Sequence, residues 1–135
     1  MDNGNTALMC YGPADQARYE QVSQILRGHG LNPVNEDRHR IIRYAGDHDI
    51  ALAILSLEAG LPDTTMGVQL ATGLLSVKPE LPVYIDTVTI PQGELSRRLT
   101  GARQNNKIRW IPQDGQSVEQ QIEEIASQLV VRQTY

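Results

Sequence analysis

One cysteine, Cys10, stands in the chain, so no disulfide forms within it, and the apolar Ala7, Leu8 and Met9 beside it mark a packed thiol rather than a reactive one. No stretch reaches the roughly 18 apolar residues of a membrane-spanning helix, and no basic segment followed by an apolar core opens the sequence. The expectation is a soluble cytoplasmic protein without a membrane partner. Nucleotide fingerprints are missing too. No G-x-G-x-x-G follows the first apolar run and there is no G-x-x-x-x-G-K-S/T, which removes support for a dinucleotide site or a P-loop. His29, His39 and His48 lack zinc spacing and Cys10 lacks companion ligands, so neither a metal nor a cofactor is expected. A basic surplus is absent as well. A net charge of −4 and a pI near 5.3 speak against a nucleic-acid polymer as partner. The clusters Arg38, His39, Arg40, Arg43 and Arg97, Arg98, Arg103 read as solvated surface, the alternative being a phosphate on a small ligand.

What is present is an alternation of apolar runs with helical stripes. Neither a repeat nor a linker interrupts the 135 residues, so residues 1–135 are read as a single domain. The continuous apolar run 49–56 is the expected central strand, buried on both faces. A strand over 6–11 precedes it, followed by a helix over 14–27 with Tyr19, Val22, Ile25 and Leu26 inward, then a short strand near 31–34 that Pro33 assigns to an edge. A short helix is expected within 36–45, a loop over 57–63 and a helix over 64–75. A strand over 81–85, a helix over 91–101, an edge strand over 107–111 and a last helix over 118–131 complete the chain. Such alternation selects a right-handed α/β arrangement over a bundle or a sandwich of sheets.

In open α/β sheets ligands sit at the carboxyl ends of the strands, which directs attention to Gly12 and the loop 57–67. Gly12 either serves the tight turn after the first strand or lets backbone N–H groups hold phosphate or ribose oxygens. Thr64 and Thr65 either cap the following helix or bind a ligand beside Gly67, whose lack of a side chain allows close approach. Glu58 and Asp63 are carboxylates on the same loop. His48 begins the central strand, at the end opposite the expected cleft, and reads as structural.

The Tyr11-Gly12 turn, the helix with Tyr19 and Leu26, the Asp49 strand, the segment Met66-Gly67-Val68-Gln69-Leu70-Ala71 and the segment Leu95-Ser96-Arg97-Arg98-Leu99-Thr100-Gly101 together resemble the nucleoside 2-deoxyribosyltransferase family. The branch of 2'-deoxynucleoside 5'-monophosphate N-glycosidases is the nearer likeness. The resemblance implies a Rossmann-like three-layer α/β fold with a parallel five-stranded sheet, a homodimer or higher homo-oligomer, and a nucleoside or nucleotide as ligand. It places Gln69 where that family carries its nucleophilic glutamate, Met9 at its first-strand tyrosine, Ile41 near its aspartate, and Ser96 at a serine contributed across the dimer. An amide is a poor nucleophile, so the expectation is nucleotide binding without catalysis, with Tyr11, Gly12, Thr64, Thr65, Gly67, Gln69 and Ser96 as ligand-binding residues. The alternative is an N-glycosidase or deoxyribosyltransferase whose carboxylate has moved to Asp37, Glu58 or Asp63, assisted by Tyr11. A structural or regulatory protein with an empty cleft is the third reading.

Overall fold

The computed structural model describes residues 5–59, 66–86, 108–111, 120 and 122–124. Strands β1 (Thr6–Cys10), β2 (Asn32–Asn35), β3 (Leu52–Ser56), β4 (Val83–Asp86) and β5 (Ile108–Ile111) form one parallel sheet in the order β2-β1-β3-β4-β5. Helices α1 (Gln16–Gly28), α2 (Ile41–Asp47) and α3 (Met66–Val77) lie between strands, and a short 3-10 turn, Pro13–Asp15, leads into α1. Parallel pairing obliges each connection to cross a face of the sheet, so the helices cover it on both sides.

Strand alternation sorts the core into two halves. Ala7, Met9, Leu52, Ile54 and Tyr84 face one side, where Val22 and Leu26 of α1 pack on them. Leu8, Cys10, Ala53, Leu55, Val83 and Ile85 face the other, against Ile41 and Ala45 of α2 and Leu70, Ala71 and Leu74 of α3. Every residue of β1 and β3 is buried, which is why, apart from Thr6 and Ser56 at their ends, their sequences are continuously apolar instead of alternating. Each fully buried leucine on these strands contributes about 1.5–3 kcal/mol relative to an exposed one.

The strand order is that of a doubly wound sheet. It begins in the middle, adds β2 on one side of β1 and β3 on the other, and so creates a switch point between β1 and β3. Pro33 sits on β2, which pairs only with β1, an edge position where its missing N–H leaves no central ladder incomplete. The second helix starts at Ile41, later than the spacing suggests, because residues 38–40 form a turn in which the Asp37 carbonyl accepts from the N–H groups of Arg40 and Ile41. β3 is shorter at its start than expected, and β4 runs one residue further, to Asp86. The expected helix over 91–101, and most of that over 118–131, lie outside the described residues.

Candidate functional site

The alternation that builds the α1-side core continues to the carboxyl ends of the strands and there changes from apolar to polar. Tyr11 follows Ala7 and Met9 on that face, Ser56 follows Leu52 and Ile54, and Asp86 follows Tyr84. Ser56 and Asp86 are register partners on neighbouring strands. Asp15 comes from the 3-10 turn and Arg18 from the first turn of α1, and both close over this row.

Asp86 is the hub. Its Oδ2 accepts from the Tyr11 hydroxyl at 2.7 Å and from Arg18 Nε at 2.8 Å. The Asp86 side chain is fully buried and that of Arg18 is 8% exposed, so the pair is shielded from water and each charge depends on the other. Arg18 Nη1 donates to Gln21 Oε1 at 3.1 Å, while the buried Nη2 has no hydrogen-bond partner among the described residues. Burial first, and then the Asp86 charge and hydrogen bond, push the Tyr11 phenol well above its ordinary range, which keeps it a donor at neutral pH. The Tyr11 ring is tilted against Tyr19 with centroids 6.0 Å apart, which fixes its plane.

Ser56 ties the loop after β3 to the entry of α1. Its hydroxyl accepts from the Ala59 N–H at 2.9 Å and is hydrogen-bonded to the Asp15 carboxyl. Asp15 is raised from its ordinary value by burial, then by the charges of Glu58 and Asp86, and the Ser56 bond opposes this only in part. Ala59 takes a left-handed backbone conformation, φ 50°, that completes the tight exit from β3.

A second feature lies on the opposite face at the switch point. A crevice of about 270 Å³ is lined by Cys10, Gly12, Asn35, Asp37, Arg38 and Ala59, among others. The Asn35 side chain bridges the Tyr11 backbone, accepting from its N–H at 2.9 Å and donating to its carbonyl at 3.2 Å. Burial, followed by the Asp37 charge, pushes the Cys10 thiol up to about 11, so the sulfur stays protonated and unreactive at neutral pH.

Of the residues expected to bind a nucleoside, Tyr11, Gly12, Gly67 and Gln69 lie among the described residues. Gln69 is exposed on α3. Gly67 is buried and spoken for. Its N–H donates to the Leu57 carbonyl at 2.7 Å, and a Cβ there would stand 2.3 Å from the Ser56 carbonyl oxygen, so the glycine serves helix-to-strand packing rather than ligand approach. Met9 and Ile41 are fully buried core residues in opposite halves of the core. Tyr11 is buried and engaged with Asp86, Gly12 lines the crevice and its carbonyl accepts from the Asp15 N–H, and Asp37 lies at the crevice mouth. Glu58 stands close enough to Asp15 to shift it. Asp63, Thr64, Thr65 and Ser96 lie outside the described residues. Among the described residues no group of three or more His, Cys, Asp or Glu side chains is placed to hold a metal ion, and no helix is long and apolar enough to cross a membrane.

Sequence reasoning missed Arg18 and Asp86, the two charges at the heart of the cluster. A signal for both existed. Arg18 falls on the same stripe as Val22 and Leu26, and Asp86 directly extends the apolar run Val83-Tyr84-Ile85, so each is a charge in a position that folding buries.

No family model matches the chain, and no curated protein matches it. Among solved structures it is similar to the receiver domain of a sensor histidine kinase from Pseudomonas aeruginosa PAO1, solved with a magnesium ion coordinated in its active site cleft. The TM-score is 0.64 at 17% identity, covering 95% of this chain and 98% of that one. It is also similar to the beryllofluoride-activated NtrC4 receiver domain dimer, with TM-score 0.60 and 14% identity over 93% of this chain and 98% of that one. At these identities the likeness shows the fold alone. It nonetheless replaces the nucleoside 2-deoxyribosyltransferase resemblance: whole-chain neighbours are receiver domains. Nucleoside or nucleotide binding, and the N-glycosidase alternative with it, are withdrawn. The homodimer expected around a shared nucleoside cleft loses its reason at the same time.

Proposed function

We propose that residues 1–135 form one signalling domain of the receiver type that works through protein contacts and without accepting a phosphoryl group. The likeness to receiver domains over nearly the whole chain supports the first half of this reading. One observation carries the second: the end of β3 presents Ser56, whose hydroxyl is bound to Ala59 and Asp15, and the carboxylate of the neighbouring strand, Asp86, is locked by Tyr11 and Arg18.

A carboxylate that accepts a phosphoryl group must reach the donor with an unencumbered oxygen lone pair, and the charge on the transferring group must be met by a cation. Asp86 has neither access to solvent nor an Oδ2 free of donors. The kinase-derived neighbour holds a magnesium ion in its cleft. The described residues here do not fit that ion, because Asp86 is committed to Arg18 and no cluster of oxygen ligands accompanies it.

A second reading keeps phosphoacceptor chemistry and moves it to the rim. It is favoured by one fact, that Asp15, raised first by burial, is raised further by the charge of Glu58. Incubation with acetyl phosphate and Mg²⁺, followed by intact-mass spectrometry, tests both readings. The expected result is an unmodified chain. A stoichiometric phosphoryl adduct abolished by Glu58→Gln or Asp15→Asn would establish the second reading and sink the first.

A further inference from the structure

We infer that Arg18 is the resident cation of the carboxyl-end cleft and that it excludes a divalent metal from the place where the cleft is most acidic. The inference rests on the receiver-type reading for its choice of metal, but its geometry belongs to this chain.

Asp15 of the 3-10 turn feels the charges of Glu58, from the loop after β3, and of Asp86, from the end of β4, so negative charge is in surplus at this end of the sheet. Convergence of like charges needs a compensating positive charge. A bound divalent ion is one solution and a buried guanidinium is another. Arg18 takes the second, with Nε 2.8 Å from Asp86 Oδ2 and a side chain that is almost wholly buried. Magnesium keeps several waters and demands near-octahedral oxygen ligation, so it needs an open carboxylate edge and room for its hydration shell. Neither exists at Asp86, whose side chain is fully buried and whose Oδ2 already accepts two hydrogen bonds.

The guanidinium is also under-used. Its Nη2 is buried without a partner among the described residues, a costly state for a charged donor. Full hydrogen bonding therefore does not explain why an arginine occupies this stripe position of α1, whereas the placement of one fixed positive charge against the buried Asp86, at the acidic end of the sheet, does. The consequence is a counter-charge to Asp86 that is covalently built in and does not vary with the supply of metal.

The test uses the whole chain, ¹⁵N-labelled, and Mn²⁺ as a paramagnetic probe, followed by Mg²⁺ in thermal melts. In the wild type the amides of Tyr11, Ser56 and Asp86 keep their intensity beyond general surface broadening, and Mg²⁺ leaves Tm unchanged. Arg18→Met retains an apolar stem and removes the charge. In this variant the same amides are broadened selectively and Mg²⁺ raises Tm. Arg18→Lys, which restores a cation, behaves as the wild type towards both metals. Saturable, site-localised broadening in the wild type overturns the inference, and so does a folded Arg18→Met variant that responds no more than the wild type. Should Arg18→Met not fold, Arg18→Gln, which removes the charge but keeps a hydrogen-bond donor for Asp86, is read by the same two measurements, with the same results supporting or overturning the inference. A phosphoryl adduct on a chain that still ignores Mn²⁺ would count against the proposed function and leave the resident cation standing.

Discussion

Asp86 and Arg18 depend on each other because neither has water to fall back on. Removing one partner of a buried ion pair strands the other charge, at a cost of about 3–5 kcal/mol, whereas replacing both with apolar groups of similar volume is close to neutral. Urea denaturation of Asp86→Asn is therefore expected to show a large loss of stability, and Arg18→Met with Asp86→Leu together a loss well below the sum of the single changes. Additive losses would mean that the 2.8 Å contact carries no coupling. Gly67 makes a separate residue-scale prediction. The atoms a Cβ would meet at 2.3 and 2.8 Å are the backbone oxygens of Ser56 and Leu57, which cannot swing aside as a side chain can. Gly67→Ala should cost about 3 kcal/mol by overpacking, read as a drop in the urea midpoint. A neutral result would show that α3 and β3 separate more easily than their packing implies.

At the scale of elements, α1 is more than a cover for the sheet, since its first turn and the 3-10 turn before it supply Arg18 and Asp15 to a cluster otherwise made of strand ends. Asp15 titrates against this arrangement. Its pKa in the folded chain lies above the ordinary value, so the stability linked to its neutral form is present at low pH and is lost as pH rises through the folded value. Asp15→Asn is accordingly expected to raise Tm at neutral pH, and to have less effect near pH 3, where the carboxyl is already protonated in both states. A lower Tm at neutral pH would show that the Ser56 bond outweighs the repulsion. The helical glycines separate by what surrounds them. Gly28 ends α1, and a Cβ added there meets nothing within 4 Å, so Gly28→Ala should stabilise by roughly 0.5–1 kcal/mol in the same denaturation assay. Gly30, at φ 82°, has the left-handed conformation that ends the helix and does not share this gain.

Across the molecule, the two halves of the core each bury one titratable group whose neutral form they favour. Tyr11 is raised on the α1 side, and Cys10 is raised from 9.0 to about 11 on the α2–α3 side. Both are protonated in the folded chain at pH values where the unfolded chain has released its protons. Stability is thus expected to hold up to about pH 9 and to fall as pH rises through 9 to 11, with Cys10 accounting for about 2 kcal/mol of the loss. Cys10→Ala, at some cost in packing, should flatten the early part of this decline in melts recorded from neutral to alkaline pH. An unchanged slope would place the titration elsewhere.

Local periodicity was enough to place the described strands and the helices α1 and α3 to within a few residues, whereas the mixed pattern over 36–45 did not fix α2. The apolar run ending at Ser56 can only be a strand covered on both faces, Pro33 can only be tolerated at an edge, and Val22 and Leu26 must share one face of a helix, because these are properties of neighbours along the chain. Short motifs go further than their physics allows. The glycine of Met66-Gly67-Val68-Gln69 looks available to a ligand, yet only packing reveals that the Ser56 and Leu57 carbonyls already fill the space, and only the rotation of α3 on the sheet leaves Gln69 outside. The site itself was decided in three dimensions. Tyr11 and Asp86 are 75 residues apart and Arg18 and Asp86 are 68 apart, and they meet because parallel β1, β3 and β4 bring their carboxyl ends to one edge while α1 folds back over it. Sequence alone carries each residue's chemistry and local conformation. Which charges lose their water, and therefore which must pair, follows only from the way the sheet and its helices close together.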